Sequence, residues 1–296
     1  MTAFVAVTLT FFALRAALGD PINSLLSQGL ATAEQADALR RSLGLDQPLV
    51  YQYLNFLGGI VRGQFGRSLY TSQPVTQIIL QQLPATAALA TGGLFSGVVL
   101  GCFLGVAAAW DAPGPMGRSA STISGILTSI PVAFIGILAL LIAGRIGEYF
   151  IRSSSLQGYP GLILPAIVLG MTTAGPIGKV IETSLVESLN SAYIQAALAR
   201  GYRKNLRLLW HALRPALPPV ISLSALEAAY LFSGTVITET VFSRPGLGRL
   251  LLRSILEGDF PVAQGLVVLA AVLYSISHLA ADIFAMLIDP RLRSTQ

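Results

Sequence analysis

The sequence predicts an all-α integral membrane protein, a single domain with six transmembrane helices. Charged residues make up 11% of the 296 residues and hydrophobic residues 53%, whereas an ordinary soluble domain carries about 25% charged residues. A soluble fold of this length would lack the polar residues to cover its surface, so we exclude that class. The formal charge of +5 is concentrated between Arg200 and Arg214, which favours a cytoplasmic loop over a nucleic-acid-binding face.

Apolar segments set the number of spans, because a bilayer core of about 30 Å needs roughly 20 mostly apolar residues per helix. The first apolar segment begins at Thr2 and ends early, at Arg15, so we interpret residues 1–18 as a shortened first helix. The other five spans are free of Asp, Glu, Lys and Arg except for Glu227, and they are predicted at Ala85–Trp110, Ser119–Gly144, Ser153–Gly178, Ala216–Thr238 and Phe260–Ala281.

The basic segment also predicts the topology. With Arg200–Arg214 on the inner side, six spans place both termini in the cytoplasm, and the basic tail after Asp289 agrees with this orientation. Residues 19–84 then form an extracytoplasmic region, in which the apolar spacing around Leu49 predicts a short amphipathic helix. Residues 85–296 form a five-helix core with a cytoplasmic loop at 187–215.

Glycines recur four residues apart in the second span, at Gly97, Gly101 and Gly105. Such spacing lets helix backbones approach closely in lipid. We interpret it as tight packing within one bundle rather than as a dedicated dimer motif.

Motifs for catalysis are missing from the sequence. The nearest match to a phosphate-binding loop, around Gly178-Lys179-Val180, lacks the first glycine and the Ser or Thr after Lys179. The two histidines, His211 and His278, are far apart, and Cys102 is the single cysteine, so no paired-cysteine metal site is possible. We predict that the chain is not an enzyme and holds no cofactor or metal, so that any ATP hydrolysis that drives it occurs on another chain.

Ionisable residues at membrane depth cost about 2.5–3.5 kcal/mol each on insertion scales, so each one needs an explanation. Lys179 and Glu182 are three residues apart near the inner end of the fourth span, and we interpret them as an intrahelical pair or as a lysine that reaches the membrane interface. Glu227 either lines an aqueous pathway or bonds a neighbouring helix, and both alternatives stay open. Glu239 is a second candidate for lining the pathway, whereas Asp282 is expected at the inner interface.

The cytoplasmic loop holds the most informative segment. A helix is predicted up to Gly201, because Asn190 or Ser191 suits the N-cap, the alanines favour helix and Gly201 suits the position after its end. About nine residues are too few for a helix that is stable alone in water, and its small side chains would let another protein's groove close around it. A second helix is predicted in the membrane interface, with an apolar face of Leu206, Leu209, Trp210 and Leu213. An ordinary basic loop is the alternative to docking.

These residues resemble the inner-membrane permease subunits of ATP-binding-cassette importers for dipeptides, oligopeptides and nickel. The family's general pattern is Glu-Ala-Ala, three residues and Gly, and this chain has Gln195-Ala196-Ala197 and then Gly201. The branch pattern Tyr-x-x-x-Ala-x-Ala-Lys-Gly matches from Tyr193 onwards, with Arg200 in place of Lys. His211-Ala212-Leu213-Arg214 continues the match.

The resemblance extends over nearly the whole chain as an ordered series of short motifs. They are Gly19-Asp20-Pro21, Leu43–Pro48, Gly66-Arg67-Ser68, Leu83–Thr86, Ser129-Ile130-Pro131, Leu164-Pro165-Ala166, Glu239–Phe242, Pro245–Gly248 and Asp289-Pro290-Arg291. Two features depart from the family. Gln64 replaces a usual Asp, and the leader before the first helix has no counterpart, which leaves the native N-terminus open.

The resemblance implies a type I ABC importer permease in the bacterial inner membrane, with residues 191–201 as the coupling helix. Its ATPase-coupling residues would be Tyr193, Gln195, Ala196, Ala197, Ala199, Arg200 and Gly201. The implied partners are a second permease subunit, giving a heterodimer, two cytosolic ATP-binding subunits that hold ATP and Mg, and an extracytoplasmic solute-binding protein. Membrane lipid is expected around the chain, and no nucleic acid.

The substrate implied by the branch is a di- or oligopeptide. The same machinery carrying nickel or another small solute is the alternative, although few soft metal ligands occur in the chain. From other classes, a secondary transporter driven by an ion gradient and a membrane scaffold without solute flux remain as rivals.

Overall fold

The computed structural model describes residues 2–18, 22, 26, 29, 32–42, 44–146, 160–203, 206, 211–233 and 235–288. Within these ranges the regular structure is helical, with one isolated antiparallel bridge between Arg67 and Pro74. The predicted all-α class is therefore confirmed. The motifs at residues 19–21 and 289–291 and the side chain of Asp282 lie outside the described parts. So do Leu209 and Trp210, so the predicted interfacial helix stays a prediction.

Helices follow one another through the described ranges. They are α1 (Thr2–Leu18), α2 (Ala33–Ser42), α3 (Leu49–Val61), α4 (Val75–Trp110), α5 (Pro115–Ser129), α6 (Val132–Ile146), α7 (Ile163–Leu189, preceded by a 3-10 turn at Pro160–Leu162), α8 (Ala192–Ala199), α9 (Leu213–Ser233), α10 (Val236–Val241), α11 (Leu247–Glu257) and α12 (Phe260–Ile288). The amphipathic helix predicted around Leu49 corresponds to α3.

Three of the described helices are long and apolar enough to cross a membrane, namely α4, α7 and residues 260–280 of α12. Helices α5 and α6 meet the same test only as a pair, which is bent by 106°. Helix α1 is a shorter apolar helix, and α9 is not among the long apolar ones. The membrane character of the chain is thus supported, while the count of six spans and the cytoplasmic termini stay predictions.

The third predicted span, Ser119–Gly144, is not one straight helix. It is broken between α5 and α6, where Ile130 is extended with φ −83° and ψ 128°. The physical reason is Pro131, which has no N–H to donate and whose ring disfavours helical backbone at the preceding residue. The absence of charge identified an apolar segment but did not show this break.

The chain divides into two compact units. The first contains Met1–Thr86 and Pro245–Ser275, and the second contains Ala87–Arg244 and Ile276–Gln296. In the first unit, an apolar core joins the start of α4 to α11 and α12 through Val75, Ile79, Leu247, Val262 and Leu266.

A short loop before α4 is fixed to the start of α12 within this first unit. The buried carboxylate of Asp259 accepts hydrogen bonds from Ser68 Oγ at 2.5 Å and from the Leu69 amide at 3.2 Å. It also accepts from the amide of Val262, in the first turn of α12. Ser68 Oγ in turn accepts from the amide of Thr71 at 3.1 Å. One carboxylate therefore both caps α12 and holds the loop.

Substitution of Asp259 is expected to loosen this loop. Asp259→Ala removes the acceptor and leaves buried donors without a partner, at a cost of about 1–3 kcal/mol in the free energy of unfolding. The measurement is thermal unfolding of the purified protein in detergent, together with protease cleavage near Ser68. Asp46→Ala, which removes an exposed carboxylate, is the matched control, and equal stability of the two variants would contradict the expectation.

The same carboxylate gives stability a dependence on pH. Burial is the largest effect on Asp259 and raises its pKa above the ordinary value, although the hydrogen bonds from Ser68 and Leu69 act in the opposite direction. The folded protein therefore holds this proton at a higher pH than the unfolded chain does. The contribution of protonated Asp259 to the free energy of unfolding is full below the unfolded pKa and is lost as pH rises through the folded pKa. Asp259→Asn, which cannot titrate, is expected to make the free energy of unfolding depend less on pH in this range.

The second unit contains α5 to α10, most of α4 and the end of α12. The glycines at positions 97, 101 and 105 of α4 face α7, where a Cβ on each would come within 3.0 Å of Thr173, Ile177 or Ile181 respectively. Only glycine allows this approach, because any side chain would overlap α7. The predicted packing within one bundle is therefore confirmed.

Candidate functional site

The predicted coupling helix is present as α8, directly after α7. Its N-cap is Ser191, which has extended backbone with φ −65° and ψ 149°. The Ser191 carbonyl accepts from the amides of Ile194 and Gln195, both at 3.1 Å. Of the two predicted N-cap positions, the structure has Ser191. The Ser191 side chain makes no capping bond, so the start of the helix is held by backbone bonds alone.

Gly201 ends the helix, as the sequence predicts. Its φ is +79°, a left-handed conformation that glycine adopts without a steric cost. The amide of Gly201 donates to the Leu198 carbonyl at 2.9 Å, and the amide of Tyr202 donates to the Ala197 carbonyl at 3.2 Å. These two bonds form a complete Schellman motif, which satisfies the last carbonyls of the helix.

One face of α8 is fixed in the core of the second unit. Ile194 is 1% exposed and belongs to an apolar cluster with Leu185 of α7, Ala212 just before α9, and Ala216 and Val220 in α9. Ala197, one turn further along α8, is also buried. Because α8 is only 8 residues long, this burial rather than intrinsic helix stability holds it in place.

The opposite face of α8 is accessible. Tyr193 is 64% exposed, and the other exposed coupling candidates are Gln195, Ala196, Ala199, Arg200 and Gly201. Gln195, which replaces the family's Glu, donates from its side-chain amide to the Leu189 carbonyl at 3.5 Å. The helix therefore presents Ala196 and Ala199 together with the larger exposed side chain of Leu198, between one aromatic ring and one cation. Among the seven predicted coupling residues, Ala197 differs because its methyl group faces the core.

A ring cluster beside α8 was missed by the sequence reasoning. His211 lies between two tyrosines, with ring centroids 5.9 Å from Tyr193 and 5.4 Å from Tyr202. Its Nδ1 donates to the Leu206 carbonyl at 3.1 Å. The cluster connects both ends of α8 to the segment that enters α9. The sequence contained a signal for this cluster: a tyrosine near each end of α8 and a histidine shortly before α9.

The acidic pathway candidates have different environments. Glu239 is 1% exposed, accepts a hydrogen bond from Thr235 Oγ1 at 2.7 Å, and its backbone carbonyl accepts from the Arg244 amide at 2.8 Å. Glu227 is half-buried in α9. The pathway role of both residues stays a prediction, and for Glu227 both alternatives remain.

The Lys179–Glu182 pair is confirmed as an intrahelical ion pair. Lys179 Nζ lies 3.2 Å from Glu182 Oε2, and it also donates to Ser121 Oγ of α5 at 2.6 Å. Gly178-Lys179-Val180 lies inside the continuous helix α7. The incomplete phosphate-loop match is therefore not a loop.

Comparison with family models identifies the class of protein. Residues 97–294 match the binding-protein-dependent transport system inner membrane component, and residues 1–90 match the N-terminal membrane component of such systems. The chain belongs to this family, and it is a membrane permease subunit of the ABC transporter type, a class that works with partner subunits.

Individual relatives agree with the peptide branch that the sequence motifs indicate. The dipeptide transport system permease DppB of Lactococcus lactis is 35% identical over 99% of this chain and 95% of its own length. The probable peptide ABC transporter permease y4tP of Sinorhizobium fredii is 34% identical over 96% and 92% respectively. The di/tripeptide permease DppB of Pseudomonas aeruginosa is 32% identical over 99% and 95%. The resemblance stated from the sequence is confirmed.

Solved structures show the same fold. A chain of the inward-facing MetNI methionine ABC transporter, in its CY5 native crystal form, aligns with a TM-score of 0.59 and 20% identity over 74% of this chain and 100% of that chain. An amino acid ABC transporter crystallised with histidines aligns with a TM-score of 0.54 and 15% identity over 73% and 94%. The type I importer permease fold implied by the sequence therefore has matching structural neighbours.

Proposed function

We propose that this chain is the transmembrane permease subunit of an ATP-driven importer that moves di- and oligopeptides across the bacterial inner membrane. The observation that carries the coupling part of this proposal is helix α8, which is fixed to the bundle by Ile194 and presents its other face to a partner. The peptide substrate is supported by relatives of similar length that are named as peptide and dipeptide permeases.

The remaining parts of the importer are supplied by other chains in this proposal. Two cytosolic subunits bind and hydrolyse ATP with Mg, and each receives one coupling helix, so a second permease subunit completes a heterodimer. A solute-binding protein delivers the peptide from outside, against extracytoplasmic segments such as residues 46–68 and 242–259. This chain transmits motion and forms part of the path.

The proposed mechanism depends on the rigidity of the α8 attachment. Ile194 packs with residues of both α7 and α9, so a displacement of α8 is transmitted to two helices of the bundle rather than lost in a flexible loop. ATP shifts the permease between its states only if the ATPase subunits engage α8 differently in those states. Closure of the two ATPase subunits would bring two such helices together and open the cavity outward.

A bulky substitution on the exposed face of α8 tests the docking directly. Ala196→Trp is expected to reduce co-purification of the ATPase subunits at least tenfold, because a large side chain at the centre of a contact surface prevents close approach of the backbone. The measurement is the ratio of ATPase to permease after affinity purification from membranes. Gln77→Trp, at an exposed position at the start of α4, is the control.

Two outcomes of the same preparation would contradict the proposal. Full ATPase retention by the Ala196→Trp variant would remove α8 from the interface. Uptake of labelled peptide that continues without ATP but is abolished by an uncoupler would assign the chain to the secondary transporters instead.

A further inference from the structure

A groove of about 650 Å³ with a mixed polar and apolar lining lies in the second unit, between α5 and α7. Its polar side chains are Ser121, Thr122 and Ser129 on α5 and Lys179 on α7, and Gly125, Ile126 and Ile130 complete the lining. We call these seven residues the Lys179 groove. Both helices belong to segments that are apolar enough to span a membrane, so the polar side chains in this lining need an explanation.

The charged pair in the groove is not enclosed by protein. The Lys179 side chain is 43% exposed and that of Glu182 is 23% exposed. The pair lies just after Gly178, the predicted end of the fourth span, and charges this close to hydrocarbon occur mainly where they face the bundle interior, a water-filled cavity or the membrane interface. The exposed side of this pair therefore fits an aqueous environment better than hydrocarbon.

Hydrogen bonding leaves the groove able to accept a ligand. Lys179 Nζ has three donors, and it donates to Ser121 Oγ at 2.6 Å and to Glu182 Oε2 at 3.2 Å, which leaves one for a ligand. Thr122 and Ser129 donate to the carbonyls of their own helix at 2.8 Å and 3.0 Å. Their hydroxyl oxygens keep lone pairs that can accept from an N–H group.

This arrangement matches one end of a short peptide. An ammonium group with a free donor suits a carboxylate, and charge-assisted bonds of this type are stronger than neutral ones. The neighbouring hydroxyl oxygens suit backbone N–H groups close to that carboxylate. Ser121, Gly125 and Ser129 are four residues apart on α5, and their small side chains leave room for an extended chain beside Lys179.

We propose that the Lys179 groove lines the solute path and that Lys179 binds the C-terminal carboxylate of a passing peptide. This inference rests on the proposed function and adds to it a contact site on the permease itself. It also places the path contact on α5 and α7, in addition to the acidic candidates Glu227 and Glu239.

Transport of matched peptides tests the carboxylate contact. The assembled importer, with its binding protein and ATPase subunits in liposomes, is given a labelled tripeptide with a free or an amidated C-terminus, each at a concentration that saturates the binding protein. Lys179→Met is expected to lower the ratio of free to amidated peptide uptake about tenfold. Lys179→Arg, which keeps the cation, is expected to restore most of the ratio.

Thiol labelling keeps the inference testable if Lys179→Met does not assemble. In a Cys102→Ala background, Ser129→Cys is expected to react with a membrane-impermeant anionic methanethiosulfonate reagent and to be protected by transported peptide. Leu141→Cys, which replaces an exposed apolar residue of α6, is the control for a lipid-facing position and is expected to stay unlabelled.

The outcomes separate this inference from the proposed function. If the unmodified importer transports peptide but Lys179→Met changes both uptakes equally, the carboxylate contact is wrong. If Ser129→Cys is never labelled, the groove faces lipid or the second subunit and not the path. If the unmodified assembly shows no ATP-dependent uptake of peptide, the proposed function itself fails.

Discussion

Replacing Gly201 with valine is expected to reduce ATP-driven peptide uptake at least tenfold while the chain still inserts into the membrane. Gly201 has a φ of +79°, and apart from its two neighbours in the chain no residue lies within 4 Å of the position that a Cβ would occupy. The effect therefore comes from backbone strain and not from a clash. A left-handed conformation costs a non-glycine residue roughly 1–2 kcal/mol, and a β-branched residue tolerates it least.

The loss of uptake follows from the small size of α8. Gly201 and Tyr202 supply the two amides that end the helix, and in a helix of 8 residues these bonds fix the last turn. Uptake of labelled peptide, measured in membranes with equal amounts of variant and unmodified permease, checks the expectation. Gly201→Asn is the matched control, because asparagine is the next most tolerated residue at this position. Normal uptake by the valine variant would argue against a coupling role for α8.

Adding one methyl group at Gly105 is expected to destabilise the folded bundle by about 1–3 kcal/mol, the usual cost of overpacking. A Cβ at this position would lie 2.6 Å from the Gly178 carbonyl oxygen and 2.6 Å from Ile181 Cβ of α7. Backbone atoms cannot move aside as a flexible side chain can, so α4 and α7 would have to separate.

The fraction of Gly105→Ala protein that stays monodisperse in detergent after heating measures this cost. Gly58→Ala is the matched control, since Gly58 is also within a helix, α3, and apart from the adjacent turns of its own helix nothing lies within 4 Å of its added Cβ. An alanine is favoured over glycine in a helix, so the control is expected to be neutral or slightly stabilising. If both variants behave alike, the close approach of α4 and α7 is not important for stability.

Local rules were sufficient for several parts of the fold. The left-handed end of α8 follows from glycine after an alanine-rich run, and the pairing of Lys179 with Glu182 follows from their spacing. The close contact between α4 and α7 follows from glycines four residues apart. In each case the interaction lies within one helix or depends on the absence of a side chain.

Features that depend on packing could not be predicted in the same way. Helix α4 begins at Val75, ten residues before the predicted start of the span at Ala85. It continues without a break through Pro84. An apolar count does not show that contacts with Leu247 and Val262 stabilise this early part. Likewise, the burial of Ala197 and the position of His211 between two tyrosines depend on how α8 meets the start of α9.

The length of α4 affects how the protein responds to the thickness of the bilayer. The part of α4 that is predicted to span the membrane, Ala85–Trp110, has 26 residues and is about 39 Å long at 1.5 Å per residue, whereas the hydrocarbon layer is about 30 Å thick. A transmembrane helix that is longer than the hydrocarbon layer adapts to thicker bilayers by tilting less and to thinner ones by tilting more. Activity in vesicles of increasing acyl-chain length is therefore expected to fall less steeply than that of a transporter whose longest helix only just spans the layer.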